Sequence, residues 1–118
     1  MNIGEVSKKY NISIDTLRYY EKIGLIDKVQ KVGGKRCYNT EDISRIEFIK
    51  CMKNAGFMLD DIDKFMTLYK MGDKTLDDRI DMLLNKKEKL LEEIEEKKKT
   101  FEFLNYKINL YKGKKEEK

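Results

Sequence analysis

The C-terminal third of the chain carries one apolar stripe whose period limits what this part can fold into. Its positions step alternately by four and three residues, and nine of the eleven are apolar: Leu76, Ile80, Leu83, Lys87, Leu90, Ile94, Lys97, Phe101, Leu104, Ile108 and Tyr111. A repeat of about 3.5 residues is the seam of a coiled coil, here on a helix roughly 54 Å long. A small domain cannot bury so long and narrow a stripe, so we expect a second copy of the chain to cover it. Periodicity alone leaves parallel and antiparallel pairing open.

Two charged residues interrupt the apolar seam, and polar residues flank it. Lys87 and Lys97 occupy seam positions, where they limit register or direct the pairing at some cost in stability. The flanks carry runs such as Glu92-Glu93, typical of a solvated coiled-coil surface. We therefore expect a dimerisation helix over 72–112 and a flexible charged tail over 113–118. The expected dimer contacts are Leu76, Ile80, Leu83, Leu90, Ile94, Phe101, Leu104 and Ile108.

Composition excludes several classes of protein. No run approaches the roughly 18 apolar residues of a membrane span, and the N-terminus lacks a signal-peptide pattern, so we expect a cytoplasmic protein associated with the nucleoid. The chain of 118 residues has no His, no Pro and two Cys, which argues against a metal knuckle, a disulfide scaffold and the commonest general base. With no glycine-rich phosphate loop and no nucleophile–base pair either, nothing indicates an enzyme, a cofactor or a metal.

Positive charge is concentrated in the N-terminal half of the chain. Residues 1–58 hold 11 Lys and Arg against 7 Asp and Glu, a net of +4, whereas residues 59–118 hold 15 of each. The whole excess of positive charge therefore lies in the N-terminal half. A net of +4 is only a mild bias, but its placement indicates where a nucleic-acid partner would bind.

Two short helices, about 3–10 and 14–23, are predicted around a turn at 11–13, with Ser13 as N-cap and Gly24 ending the second helix. They outline a helix-turn-helix. At about 100° per residue the second helix has an inner arc of Ile14, Leu17, Tyr20 and Glu21 and an outer arc of Asp15, Arg18, Tyr19 and Lys22. The outer arc suits a helix that reads a DNA groove, or is simply the solvated face of an amphipathic helix. Glu21 is expected to pair with a cation, for which Arg45 is a candidate.

A basic β-hairpin is predicted over 28–38, turning at Gly33-Gly34. Its four cations are Lys28, Lys31, Lys35 and Arg36. Directly after a helix-turn-helix, such a hairpin is a wing placed to touch the phosphate backbone. The alternative is a plain connecting hairpin whose lysines protect its edges.

Two further helices complete the expected head. One opens at Asn39 with an acidic first turn and has apolar residues around most of its circumference, so it should pack between neighbours. The next starts near Leu59 and stops near Gly72. The predicted fold is all-α with a small β-hairpin wing: a winged helix-turn-helix head at 1–71 and a long C-terminal dimerisation helix.

Three segments carry a family resemblance: Ile3-Gly4-Glu5-Val6, then the run from Thr16 to Ile26 with its core Leu17-Arg18-Tyr19-Tyr20-Glu21, then Gly34-Lys35-Arg36-Cys37-Tyr38. Together they resemble the MerR family of bacterial transcription regulators. The resemblance implies a homodimer joined by an antiparallel coiled coil. It further implies binding to double-stranded promoter DNA whose −35 and −10 elements lie too far apart. Such a regulator bends and untwists the DNA, and so acts on RNA polymerase indirectly.

The resemblance also assigns roles to single residues. Arg18 and Tyr19 would contact bases and phosphates in the major groove, assisted by Thr16 and Lys22. From the wing, Arg36 and Tyr38 would hold the DNA backbone, with Lys35 beside them. Leu17 and Tyr20 are expected in the core.

For the effector, the chain differs from two branches of the family. No Cys follows Cys51, as a metal sensor would need, and only a short segment follows the seam, where a drug sensor has a further domain. The segment 46–56, with Gly72-Asp73, instead resembles the branch that responds to aldehydes and electrophiles, in which one cysteine is the proposed sensor. Cys51 is then the candidate, helped by Lys50 and Lys53 if they face the same way. Alternatively Cys51 is a small core residue, and Cys37 is expected to be a spacer.

A function of another class is also consistent with the pattern. The chain would then be a coiled-coil dimeric interaction protein whose winged head docks onto a partner without binding DNA.

Overall fold

The computed structural model describes residues 1–117 and confirms the predicted fold class. The helices are α1 (Ile3–Tyr10), α2 (Ile14–Lys22), α3 (Thr40–Asn54), α4 (Leu59–Lys70) and α5 (Leu76–Glu116), and the strands are β1 (Lys31–Val32) and β2 (Lys35–Arg36). A 3-10 turn, Asp73–Thr75, joins α4 to α5. The chain divides into two compact units, the head at 1–80 and the part of α5 from Asp81 onward.

Side-chain caps fix where α1, α2 and α3 begin. The Asn2 side chain accepts from Glu5 N at 2.8 Å while the Glu5 carboxylate accepts from Asn2 N at 3.0 Å, a reciprocal capping box at α1. Asn39 and Asp42 repeat that arrangement at α3. Ser13 Oγ accepts from Thr16 N at 3.0 Å and caps α2, as predicted.

Every helix of the head contributes to one apolar core. Its buried members are Val6, Leu17, Tyr20, Leu25, Ile26, Val29, Tyr38, Ile46, Ile49, Met52, Ile62, Phe65 and Met66. The prediction that Leu17 and Tyr20 belong to the core is confirmed. Gly24, at φ +78°, turns the chain after α2 so that the N–H groups of Leu25 and Ile26 both reach Tyr20 O. The loop after α2 is thereby folded back onto the core.

Polar contacts attach α3 to both helices of the helix-turn-helix. Tyr10 Oη donates to Glu47 Oε1 at 2.7 Å, and Lys50 Nζ donates to the Tyr10 carbonyl at the end of α1. Lys53 Nζ lies 3.3 Å from Tyr20 Oη on α2. Helix α3 thus sets the positions of α1 and α2 in two ways: by its buried apolar side chains and by the hydrogen bonds of Glu47, Lys50 and Lys53.

Helix α5 has no buried residue among those described, although it is 41 residues long. The apolar side chains of the seam, from Leu76 to Tyr111, are therefore largely exposed to solvent in the single chain. Leu83, for example, is 42% exposed and Phe101 is 64% exposed. Helix α5 continues through residues 113–116 of the tail expected at 113–118; Lys118 lies outside the described residues. Residues 1–117 contain no helix both long and apolar enough to cross a membrane.

A buried hydroxyl ties the end of α4 to the start of α5. Thr75 is 4% exposed, and its Oγ1 lies 2.5 Å from Leu68 O and 2.9 Å from Gly72 O. Arg79 Nε donates to the same Oγ1 at 3.1 Å, and Arg79 Nη2 donates to Gly72 O at 3.1 Å. The single Thr75 hydroxyl therefore lies within hydrogen-bond distance of two carbonyl oxygens and of the Arg79 guanidinium at this turn.

We predict that Thr75→Val lowers the free energy of unfolding by about 1–3 kcal/mol, since it keeps the shape but leaves buried polar groups unpaired. Urea unfolding at matched protein concentration measures the change. Thr67→Val is the control: Thr67 also bonds a carbonyl, that of Asp63, but is exposed, so a change within about 0.5 kcal/mol is expected. Equal losses in the two variants would contradict the role given to Thr75.

Candidate nucleic-acid interface

The exposed face of α2 presents the residues predicted to read DNA. Tyr19 is 50% exposed, Lys22 is exposed, and the Arg18 side chain is 56% exposed. Arg18 Nη1 lies 4.0 Å from Asp15 Oδ1, an exposed pair of small energetic value that leaves the guanidinium available. Thr16 is half-buried, and its Oγ1 accepts from Ser13 Oγ at 2.7 Å. Three of the four residues therefore share one open surface, and Thr16 lies at the start of the helix.

The hairpin forms where the sequence predicted it, with strands of two residues each. Lys31 pairs with Arg36 and Val32 with Lys35 in antiparallel register. Gly33 and Gly34 both have positive φ, +59° and +79°, as the two-residue turn of such a hairpin requires. Lys31 and Lys35 are exposed, so the wing adds positive charge to this part of the surface.

A two-pronged ion pair joins the wing to α2. Arg36 Nε and Nη2 each lie 3.3 Å from a different oxygen of Glu21, and Val29 N donates to Glu21 Oε1 at 3.2 Å. The side chains are only 14% exposed for Glu21 and 22% for Arg36. Two nitrogens of Arg36 are thus hydrogen-bonded to Glu21. In the free chain Arg36 therefore serves mainly to position the wing.

Glu21 pairs with a cation as expected, but the cation is Arg36 and not the candidate Arg45. Arg45 Nη1 instead lies 2.8 Å from Asp27 Oδ2, and Lys70 Nζ lies 3.4 Å from Asp27 Oδ1. The hydrogen bond from Arg45 lowers the pKa of Asp27, against an opposing effect of burial. Asp27 therefore connects the loop after α2 to α3 and α4. Sequence reasoning missed this cluster because no periodic signal relates a loop residue to two distant helices.

The Glu21–Arg36 pair also sets the charge state of both groups. Burial raises the pKa of Glu21, but the hydrogen bonds from Arg36 and Val29, with the charges of Arg36 and Lys31, lower it by more. The net result is a lowered pKa. The bond to Glu21 likewise raises the pKa of Arg36 against the effect of burial. Both groups are charged at neutral pH.

Tyr38 does not reach the surface of the free chain, so its predicted contact with the DNA backbone would require the hydroxyl to be uncovered. The side chain is 3% exposed, and its hydroxyl is buried without a hydrogen-bond partner in residues 1–117. Burial and then the charge of Glu21 raise its pKa, which keeps the phenol protonated. The backbone of Tyr38 exchanges two hydrogen bonds with Met1, at 2.7 and 3.1 Å, and so anchors the N-terminus.

Cys51 and Cys37 are both exposed free thiols, so the alternative of Cys51 as a core residue is wrong. The ammonium groups of Lys50 and Lys53, which would help Cys51 only if they faced it, bind Tyr10 O and Tyr20 Oη. On α3, Glu47 and Phe48 precede Cys51 by four and three residues and so share its side of the helix. The described part of the chain contains no cluster of three or more potential metal ligands.

Comparisons with known proteins agree with this arrangement. A family described as "MerR HTH family regulatory protein" matches residues 1–68, and one described as "MerR, DNA binding" matches residues 43–102. The HTH-type transcriptional regulator AdhR of Bacillus subtilis is 44% identical over 93 residues, which are 78% of this chain and 66%, just under two thirds, of that protein. The mercuric resistance operon regulatory protein of Bacillus cereus is 34% identical, over 82% of this chain and 74% of that protein.

Solved structures are similar over nearly the whole chain. HiNmlR, described as a MerR family regulator lacking the sensor domain and bound to promoter DNA, matches with a TM-score of 0.88 and 30% identity, over 95% of this chain and 86% of that one. A MerR family protein from Listeria monocytogenes matches with a TM-score of 0.81 and 33% identity, over 94% of this chain and 85% of that one.

We predict that Glu21→Gln lowers the free energy of unfolding at pH 7 by about 1–3 kcal/mol, because Arg36 loses its charged partner in a mostly buried site. The pKa of Glu21 is lower in the folded than in the unfolded chain, so its contribution is complete above the ordinary glutamate pKa of about 4.3 and is lost as pH falls through the folded value. The difference from the parent protein should therefore shrink below about pH 4.

Urea unfolding at pH 7 and at acid pH measures this dependence. Glu95→Gln, at an exposed position of α5, is the control and should change little at either pH. A difference for Glu21→Gln that stays constant with pH would contradict the assignment.

Proposed function

Since the chain belongs to the MerR family of helix-turn-helix regulators, we propose that it binds promoter DNA as a homodimer and controls transcription by distorting that DNA. It is a DNA-binding transcription regulator and not an enzyme. The observation that carries the finer proposal is the open Arg18–Tyr19 face of α2 beside a wing held in place by Glu21 and Arg36.

In the proposed complex, α2 enters the major groove. The guanidinium of Arg18 suits a bidentate contact with a guanine edge or a phosphate, and Tyr19 adds a hydroxyl beside it. Lys22 and Lys35 supply phosphate contacts on the helix and on the wing, which position the protein but carry no sequence information. Arg36 acts through the wing, since its Nε and Nη2 already bind Glu21.

The seam on α5 supports dimerisation, since eight apolar side chains with one repeat have no cover in the single chain. The ends of α5 carry opposite charge, with Asp77 and Asp78 in the first turn and Lys114 and Lys115 in the last. Parallel pairing would place like charges together, whereas antiparallel pairing places the acidic end beside the basic end. We therefore favour the antiparallel coiled coil, with a head at each end.

Two heads on one stiff coil would contact two half-sites whose separation is set by the protein. On a promoter with an overlong spacer, bringing both half-sites onto the heads requires the DNA to bend and untwist, at a cost that depends on its sequence. RNA polymerase would then be affected through the DNA rather than by direct contact.

Cys51 is the proposed sensor of an aldehyde or another electrophile. Its thiol is exposed, and addition to an aldehyde would join sulfur to the carbonyl carbon and move the thiol proton to the oxygen. Glu47, which binds Tyr10 of α1, lies one turn away on the same side of α3. An adduct would therefore act beside the contact that positions the helix-turn-helix.

We predict that Arg18→Ala weakens binding to the chain's own promoter region by roughly 10- to 100-fold, as expected for a lost bidentate base contact. Fluorescence anisotropy across a salt series measures it, and sedimentation shows whether the dimer is intact. Tyr38→Phe is the matched control and should keep its affinity, because the hydroxyl it removes is enclosed. Unchanged binding by Arg18→Ala, or no protected DNA in a footprint at low salt, would favour a docking module instead.

We predict that Cys51→Ser retains DNA binding and loses the transcriptional response to formaldehyde or methylglyoxal, since a hydroxyl is a far weaker nucleophile than a thiolate. In vitro transcription with mass spectrometry of the thiols measures both steps. Cys37→Ser, which removes the other exposed thiol, is the control and should respond normally. A full response by Cys51→Ser would exclude the thiol mechanism.

A further inference from the structure

The connection between α4 and α5, residues 71–75, is held by the side chain of Arg79, and we call this connection the joint. Arg79 Nε donates to Thr75 Oγ1 at 3.1 Å, and Nη2 donates to Gly72 O, also at 3.1 Å. The guanidinium carbon lies over the Tyr69 ring, 5.5 Å from its centre. Since Arg79 belongs to the first turn of α5, these contacts hold that turn against the end of α4.

The backbone of the joint is short and contains a flexible residue. Gly72 has a φ of +87°, and the 3-10 turn that follows spans only Asp73–Thr75. A few residues at the ends of two elements are where proteins place hinges. The Thr75 hydroxyl ties the joint back to Leu68 O on α4, and Arg79 extends this attachment into α5.

The chemistry of these contacts suits arginine. A guanidinium is planar and presents its N–H groups in fixed directions, so it can bond two acceptors while its face packs on an aromatic ring. A lysine ammonium is a point charge on a flexible stem and fixes no plane. Arg79 is half-buried and Thr75 is buried, so water competes less for these bonds. Arg79 therefore restrains both the position and the rotation of the first turn of α5.

A rigid joint matters to a dimer that reads two half-sites. One base pair changes the separation of two half-sites by about 3.4 Å and rotates one relative to the other by about 35°. Each head is connected to α5 through its own joint, and α5 is one unbroken helix from Leu76 to Glu116. If both joints are stiff, DNA with another half-site separation has to bend and untwist to bind. If the joints yield, the heads follow the DNA instead.

We propose that Arg79 is a specificity-determining residue, which holds the joint rigid and so fixes the half-site separation that the dimer accepts. Arg79 acts through Thr75, Gly72 and Tyr69 and not by contact with DNA, so it is a positioning residue. Because the joint does not yield, the DNA deforms rather than the protein. This inference rests on the homodimer and the DNA distortion of the proposed function.

Binding to duplexes that differ only in half-site separation tests this role. They carry the half-sites of the chain's own promoter at the native separation and with one or two base pairs added or removed, and one further duplex carries a single half-site. The parent protein should prefer its best separation at least tenfold over one that differs by two base pairs. In Arg79→Gln this ratio should fall below threefold, while affinity for the single half-site stays within twofold of the parent.

In vitro transcription from the native promoter gives a second measurement. Regulation by Arg79→Gln should fall at least fivefold although the protein still binds, because the DNA is no longer forced to distort. Arg79→Lys keeps the charge but not the planar group, so its preference between separations should be intermediate; it carries the test should Arg79→Gln fail to fold in urea unfolding or to dimerise in sedimentation. Lys74→Gln, an exposed cation within the joint, is the matched control and should keep the parent's preference within twofold.

The outcomes separate this inference from the function on which it rests. A parent protein that binds all separations equally overturns the proposed distortion and this inference with it. A parent that discriminates, with a preference that Arg79→Gln and Arg79→Lys retain, overturns the role of Arg79 alone. Equal losses on every duplex, the single half-site included, would show a general structural role and would also overturn it.

Discussion

The structure of the head depends on the contacts that α3 makes with the core and with α1 and α2. Its buried residues Ile46, Ile49 and Met52 fill the centre of the core, while Glu47, Lys50 and Lys53 hold the ends of α1 and α2 by hydrogen bonds. The two helices of the helix-turn-helix are too short to be stable by themselves, since helices under about 12 residues are marginal in water. Their mutual position, and so the orientation of Arg18 and Tyr19, is set by this third helix.

The wing is held at its two ends by the buried side chains of Val29 and Tyr38, and along its strands by charge. Strands of two residues bury little, so the hairpin is held to α2 by the Glu21–Arg36 pair and by Val29 N on the same carboxylate. Arg36 thereby holds the wing against α2. A buried pair of this kind is worth little compared with an apolar contact, but losing one partner is costly, because the other charge is left without compensation.

Periodicity and capping chemistry predicted the helices, the hairpin turn and most of the inner faces, although Ile14, placed on the inner arc of α2, is 37% exposed. The coiled-coil seam and the caps Ser13 and Asn39 are local patterns, legible within a few residues. What failed was every assignment that depended on which element lies opposite. A helical wheel placed Glu21 on the inner side but offered Arg45 as its candidate partner and did not identify Arg36, and a wing motif could not show that Tyr38 faces the core. The tail over 113–118 was expected to be flexible because its charged side chains favour solvent. Charged side chains are equally compatible with an exposed helix, which is what the structure has over 113–116.

The proposed sensor shares a side of α3 with Glu47 and with Phe48, which lines a groove of the head. Cys51 lies three residues from Phe48, which walls the groove, and four from Glu47, which binds α1, so all three share one side of the helix. A group added to the thiol would press on both neighbours at once. The hydrogen bond from Tyr10 to Glu47 helps to position α1, so a single covalent change at the proposed sensor would act on the part of the head that holds the DNA-reading helices.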